Sequence, residues 1–240
     1  MTAIVLDQLT LGYDGFPVVD GACGAFAVGR STVIVGPNGS GKSTLLKAIA
    51  GRIRPLSGAV RLQGVAPRGI AYLPQDAGID RSFPITVADF VALGFERRLG
   101  LFRGLGPAGR ASLASAIAAV GLGGLERQPI AALSGGQCQR ALFARVIAED
   151  ARVILLDEPL ASQDSQTSAD LIGVISRWRA EGRTLVIVLH DLALARALGD
   201  ETLVMARGCV AWGPTADVLT PDHLRRAHEA SARWALGDAA

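Results

Sequence analysis

At 240 residues, half of them hydrophobic, the chain can bury one large domain or a core with a smaller appended lobe. Its 24 lysines and arginines stand against 22 aspartates and glutamates, a net charge of +2, which argues against the strongly basic face of a nucleic-acid binder. No stretch reaches the roughly 18 uninterrupted apolar residues of a membrane helix, the opening MTAIVLDQL lacks the marks of a signal peptide, and three scattered cysteines (Cys23, Cys138, Cys209) imply neither disulfides nor zinc, so a soluble chain of a reducing compartment is expected.

In chain order, residues 3–11 alternate loosely as a strand, and residues 31–35 form a short strand ending at Gly36. The turn GPNGSGK follows, then a helix over residues 43–52 with Gly51 near its end. Residues 59–62 and 69–73 read as two more strands. After Gln75 the texture changes: residues 87–93 and 108–120 are helix-like, with Gly100, Gly104, Gly106 and Pro107 marking the connection and Gly121 an end. A helix over residues 137–149 precedes β-type runs at 152–156 and 184–189, apolar at their centres as buried parallel strands are, with a helix over 171–180 between them. The pattern predicts an α/β core, residues 1–77 and 149–240, interrupted by a helical insert at 78–148 within one domain, residues 1–240.

Residues 36–43, with Thr44 following, match G-x-x-x-x-G-K-[ST] between a strand and a helix. Gly36, Gly39 and Gly41 let the backbone of Pro37, Asn38 and Ser40 wrap so that N–H groups point at phosphates. The helix start adds its positive dipole end, Lys42 a point charge for the β- and γ-phosphates, and the Ser43 hydroxyl a ligand for Mg²⁺. The run RVILLDE then delivers two carboxylates at a strand's C-terminal end, where open α/β sheets bind ligands. Asp157 is placed to hold Mg²⁺, and Glu158 to polarise the water that attacks the γ-phosphate. A second strand, TLVIVLHD, ends in His190, which either hydrogen-bonds a γ-phosphate oxygen or is structural. His223 and His228 are five apart on a predicted helix and read as surface residues. One further stretch, LSGGQCQR at residues 133–140, is a second glycine-rich turn with no lysine.

Taken together these motifs resemble, over nearly the whole chain, an ATP-binding cassette (ABC) ATPase: GPNGSGKST its Walker A, LSGGQ its signature, VILLDEP its Walker B. The resemblance makes Gln75 of LPQD the Q-loop glutamine and a third contact to Mg²⁺, His190 the switch histidine, and Tyr13 of LGYDG the aromatic that stacks on adenine. It implies a P-loop NTPase core with an antiparallel β subdomain and an inserted helical subdomain, ATP and Mg²⁺ as ligands, and Glu158, His190 and Gln75 as catalytic residues. It also implies that Leu133, Ser134, Gly135, Gly136 and Gln137 act in trans, on ATP held by a second copy of the chain in a head-to-tail sandwich, with Asp164 in an interface loop. Gln163 stands where the family has an aliphatic residue, and Cys138 where a longer polar one is common.

Single cassettes of this size resemble bacterial importer subunits, peripheral on the cytoplasmic face of the inner membrane, where two permease copies supply the spans. The segment FPITV and the tail VLTPDHLRRA are similar to the zinc, manganese and iron uptake group, which implies an external metal-binding protein as an indirect partner. Siderophore, haem and cobalamin importers are close in texture, and a soluble, non-transport cassette is a further alternative. Phe83, Phe90, Phe95 and Phe102 either dock the permease or form the core of the helical insert.

Overall fold

A computed structural model of the chain describes residues 1–66, 69–76, 78, 83–96, 104–161 and 165–235, the last two without their side chains. Two compact units emerge, one comprising residues 1–75, 152–159 and 179–240, the other residues 76–151 and 160–178.

The first unit opens with β1 (Thr2–Tyr13), β2 (Phe16–Ala27), β3 (Ser31–Val35), α1 (Lys42–Ile49), β4 (Ser57–Leu62) and β5 (Ile70–Leu73). Strands β2, β1 and β4 make an antiparallel sheet in that order. The second unit holds α2 (Val87–Ala92), α3 (Pro107–Ala119), α4 (Gly135–Glu149) and most of α5 (Ser165–Ala180). The chain returns to the first unit through β6 (Val153–Asp157) and β7 (Thr184–Val188), followed by α6 (Leu192–Leu198), β8 (Glu201–Met205), β9 (Cys209–Pro214), α7 (Thr215–Val218) and α8 (Pro221–Ala235). Its larger sheet has the order β5-β6-β7-β3-β8-β9, parallel except for the β8–β9 hairpin at the edge.

Every residue of β3, β6 and β7 is buried, which is why their sequences run apolar without alternation: a central parallel strand has no solvent face. A single apolar cluster joins both sheets, with Ile4 and Phe26 from the antiparallel sheet, Ile34, Leu155 and Val186 from the parallel one, and Leu45 and Leu46 of α1. Each such side chain taken out of water contributes about 1.5–3 kcal/mol before chain entropy is subtracted. Because β3, β6 and β7 are adjacent and parallel, the segments that follow Val35, Leu156 and Val188 emerge at one edge of the sheet.

In the second unit Pro107 starts α3, where its missing N–H costs nothing. The Phe143 and Trp178 rings stack with centroids 5.9 Å apart, and Arg140 pairs with Asp170 at 2.7 Å. The two readings of the phenylalanines divide here. Phe90 and Phe95 are buried in this unit, with the Arg145 guanidinium 5.4 Å from the Phe90 ring centroid, while Phe83 is exposed and Phe102 lies outside the described residues.

Strand β2 was not expected, nor were β8, β9 and α6. In β2 the alternation is interrupted by Gly21 and Gly24 and by bulges in its pairing with β1. Gly24 is a packing requirement: a Cβ there would lie 2.4 Å from the Trp212 ring, which instead packs against Phe26 at 4.6 Å. His223, expected on the surface, is half-buried with its Nδ1 donating to the Val218 carbonyl at 2.8 Å, whereas His228 is exposed.

Candidate nucleotide site

The loop between β3 and α1 carries residues 36–41 over the end of the sheet. Two glycines there cannot be replaced without movement. A Cβ on Gly36 would sit 2.0 Å from the Met205 carbonyl oxygen, and Gly41 has φ +93° with its would-be Cβ 2.4 Å from Val19. The loop borders a cleft of about 310 Å³ lined by Val18, residues 38–44, Gln75, Glu158 and His190. Tyr13 sits exposed at the end of β1 and is not among the residues lining that cleft.

Lys42 is buried, its Nζ donating to the carbonyls of Gly36 (2.9 Å) and Pro37 (2.8 Å). Burial lowers its pKa, and the nearby carboxylates of Glu158 and Asp157 oppose that shift. Ser43 donates its hydroxyl to Asp157 Oδ1 at 3.0 Å, so the two groups expected to hold Mg²⁺ lie together although 114 positions separate them. Burial pushes the Asp157 carboxyl up, against the hydrogen bonds it accepts from Ser43 and Tyr72. This pair of hard oxygen donors suits Mg²⁺.

Glu158 has a left-handed backbone, φ 49°, an uncommon conformation for a residue with a Cβ. Both of its carboxylate oxygens are engaged. Gln75 Nε2 donates to Oε2 at 2.7 Å, and His190 Nε2 donates to Oε1 at 2.5 Å. Since a carboxylate only accepts, the His190 proton is on Nε2. Asp191 caps α6 by accepting from the N–H groups of Ala193 (2.7 Å) and Leu194 (3.0 Å), which holds the histidine at the strand tip.

The signature residues lie in the second unit. Ser134 caps α4 in a reciprocal box: its hydroxyl accepts from Gln137 N–H (3.2 Å) while Gln137 Oε1 accepts from Ser134 N–H (2.9 Å). Leu133 is buried, and Ser134 and Gly135 stand exposed at the helix start, with Gly136 half-buried beside them. Asp164 and Gln163 lie outside the described residues. One residue that the motifs did not single out joins the site, Tyr72, whose hydroxyl donates to Asp157 Oδ2 at 3.3 Å. Its position two residues before Pro74 on a strand leading to Gln75 was the available signal.

A phosphate loop, a carboxylate pair and a glutamine–histidine grip at one sheet edge define a P-loop nucleotide hydrolase, and the helical unit with its LSGGQ turn narrows the class. The family model described as ABC transporter matches residues 22–161, and the chain belongs to that family as an ATP-binding, ATP-hydrolysing domain. It is 36% identical to the zinc transport system ATP-binding protein TroB of Treponema pallidum, over 94% of this chain and 86% of the relative. It is likewise 36% identical to the manganese transport system ATP-binding protein MntB of Listeria monocytogenes, over 97% and 99%. Among solved structures it is similar to a metal-chelate type ABC transporter in an inward-facing conformation, with TM-score 0.82 and 25% identity over 95% of this chain and 90% of the other. The fold is shared with an ABC transporter cassette in its ADP conformation, with TM-score 0.79 and 22% identity over 95% and 99%. Among the described residues no helix is long and apolar enough to cross a membrane.

Proposed function

We propose that this chain hydrolyses ATP to energise import of a transition metal ion, zinc or manganese, through a separate membrane permease. The observation that carries the chemistry is Glu158, held by Gln75 and His190 beside the Lys42 loop. The cargo rests on near full-length similarity to zinc and manganese transport ATP-binding proteins.

In this reading the N–H groups of residues 38–43 and the Lys42 ammonium bind the β- and γ-phosphates, and Tyr13 stacks on adenine. Mg²⁺, held by Ser43 and Asp157 with Gln75 nearby, would draw charge from the phosphate oxygens. Glu158 accepts the proton of the attacking water, and His190 keeps that carboxylate oriented and can turn to the γ-phosphate. A second copy of the chain presents its Ser134–Gln137 turn, where the N–H groups of Gly135 and Gly136 open the exposed N-terminus of a 15-residue helix. The chain acts as a peripheral subunit on the cytoplasmic face of a bacterial inner membrane, with Asp164 in the contact between copies, two permease copies as direct partners and an external metal-binding protein as an indirect one.

A second reading, import of a metal chelate such as a siderophore, haem or cobalamin, is favoured by the likeness to the metal-chelate type transporter. A strain lacking this chain separates the two: lost accumulation of radioactive zinc or manganese, restored by the parent gene and not by Glu158→Gln, is the expected result. Unchanged ion accumulation with lost chelate uptake would favour the second reading, and no transport defect of either kind would reject both.

A further inference from the structure

The Asp157 carboxylate is shared between a donor on helix α1 and a donor on strand β5. Its Oδ1 accepts from Ser43 and its Oδ2 from Tyr72, in surroundings that leave Asp157 1% and Tyr72 7% exposed. Tyr72 of β5 is in parallel register with Leu155 of β6, so adjacent strands carry phenol and carboxylate toward the same end of the sheet. A carboxylate oxygen accepts, so the phenol is the donor in this contact. Nothing in phosphate binding or water activation uses this hydroxyl.

The torsion that turns an aspartate's carboxylate is broad, so an unanchored Asp157 would present its oxygens to a cation in many orientations. A hydrogen bond to one oxygen removes that freedom and leaves the other directed at the Ser43 hydroxyl. We infer that Tyr72 is a positioning residue, whose hydroxyl orients Asp157 so that Ser43 and Asp157 present a preformed divalent-cation site. This rests on the ATPase reading above and deepens it by giving β5 a share of the cation affinity. Partners one shell out from a metal ligand typically change affinity by about 10–100-fold when removed.

Tyr72→Phe deletes a single oxygen and keeps the ring in the core. In the full chain, with Glu158→Gln added to stop turnover, ATP binding in EDTA is measured separately from Mn²⁺ binding to the ATP-loaded protein by EPR titration. ATP affinity in EDTA should stay unchanged while Mn²⁺ affinity falls about tenfold. Unaltered Mn²⁺ affinity overturns the inference, and so does an equal loss of ATP affinity in EDTA, which a merely structural residue would produce. Should Tyr72→Phe fail to fold, the unsubstituted side chain can be observed directly. The chain has two tyrosines, so Cζ-labelled protein yields two carbon signals, assigned with Tyr13→Phe. The Tyr72 signal should move when Mg²⁺ joins ATP and stay still with ATP in EDTA; indifference to Mg²⁺ overturns the inference. A parent chain that binds neither ATP nor Mn²⁺ instead removes the ATPase reading and this inference with it.

Discussion

Lys42 is an ammonium kept in a largely dry place by its own loop. Its two carbonyl contacts and the nearby Glu158 and Asp157 offset the burial that disfavours its charge. An anion entering the cleft would replace neutral carbonyl partners with a charged one, which favours the phosphate-binding role proposed for Lys42. Lys42→Ala should therefore lower ATP turnover by at least about a hundredfold, as losses of charge-stabilising groups do, with the melting temperature in nucleotide-free buffer little changed. Hydrolysis at the parental rate in the purified variant would remove Lys42 from the site. Glu158 shows a second economy of this kind: a carboxylate at a positive φ is held where the strand ends, and its side chain has partners on both oxygens before any substrate arrives. The geometry therefore keeps the Glu158 carboxylate oriented but occupied.

Elements reach this arrangement through a few fixed ties. Asp200 precedes β8, accepts the Ser31 N–H at the start of β3 at 2.9 Å, and pairs with Arg179 near the end of α5. Burial pushes its carboxyl up, yet the Ser31 N–H and the Arg179 guanidinium outweigh that and hold its pKa below the ordinary 3.8. A carboxylate depressed in the fold adds stability above the unfolded value, and that stability is lost as pH falls through the folded one. Asp200→Asn should thus cost about 1–3 kcal/mol at pH 7, a difference that shrinks below pH 3.8. Denaturant melts of parent and variant across that range check it, and a gap that persists undiminished at low pH would mean packing, not charge, is at stake. The central strands β3, β6 and β7 were legible because burial on both faces writes a continuous apolar run. The run Thr202–Met205 carries the same signal and could have been read as β8. Strand β2 could not, because the glycine that admits Trp212 also breaks its alternation.

At the scale of the molecule, one chain has one lysine loop and one serine–glycine turn, and they belong to different compact units. If the serine–glycine turn of one copy serves the nucleotide held by another, ATP should join two chains. Glu158→Gln, which removes the proposed proton acceptor and keeps the shape, should accumulate as an ATP-dependent dimer on size exclusion; elution as a monomer with saturating ATP counts against the sandwich. Adding Ser134→Arg should abolish that dimer while isolated chains still bind ATP, since among the described residues the Ser134 side chain caps its own helix. Loss of binding to the single chain would mean that both loops serve one site within it.

The motifs, their order and the class of protein are written in the sequence, because each one is a local backbone device: a glycine cradle, a capped helix, a carboxylate at a strand end. Which side chains meet is another matter, since parallel strands bring together residues far apart in the chain. Only the folded structure puts Ser43 against Asp157, divides Phe90 and Phe95 from Phe83 by burial, and sets Tyr72 on the carboxylate. A tyrosine in an apolar strand looks like core from sequence, and its hydroxyl acquires a partner only when β5 lies beside β6.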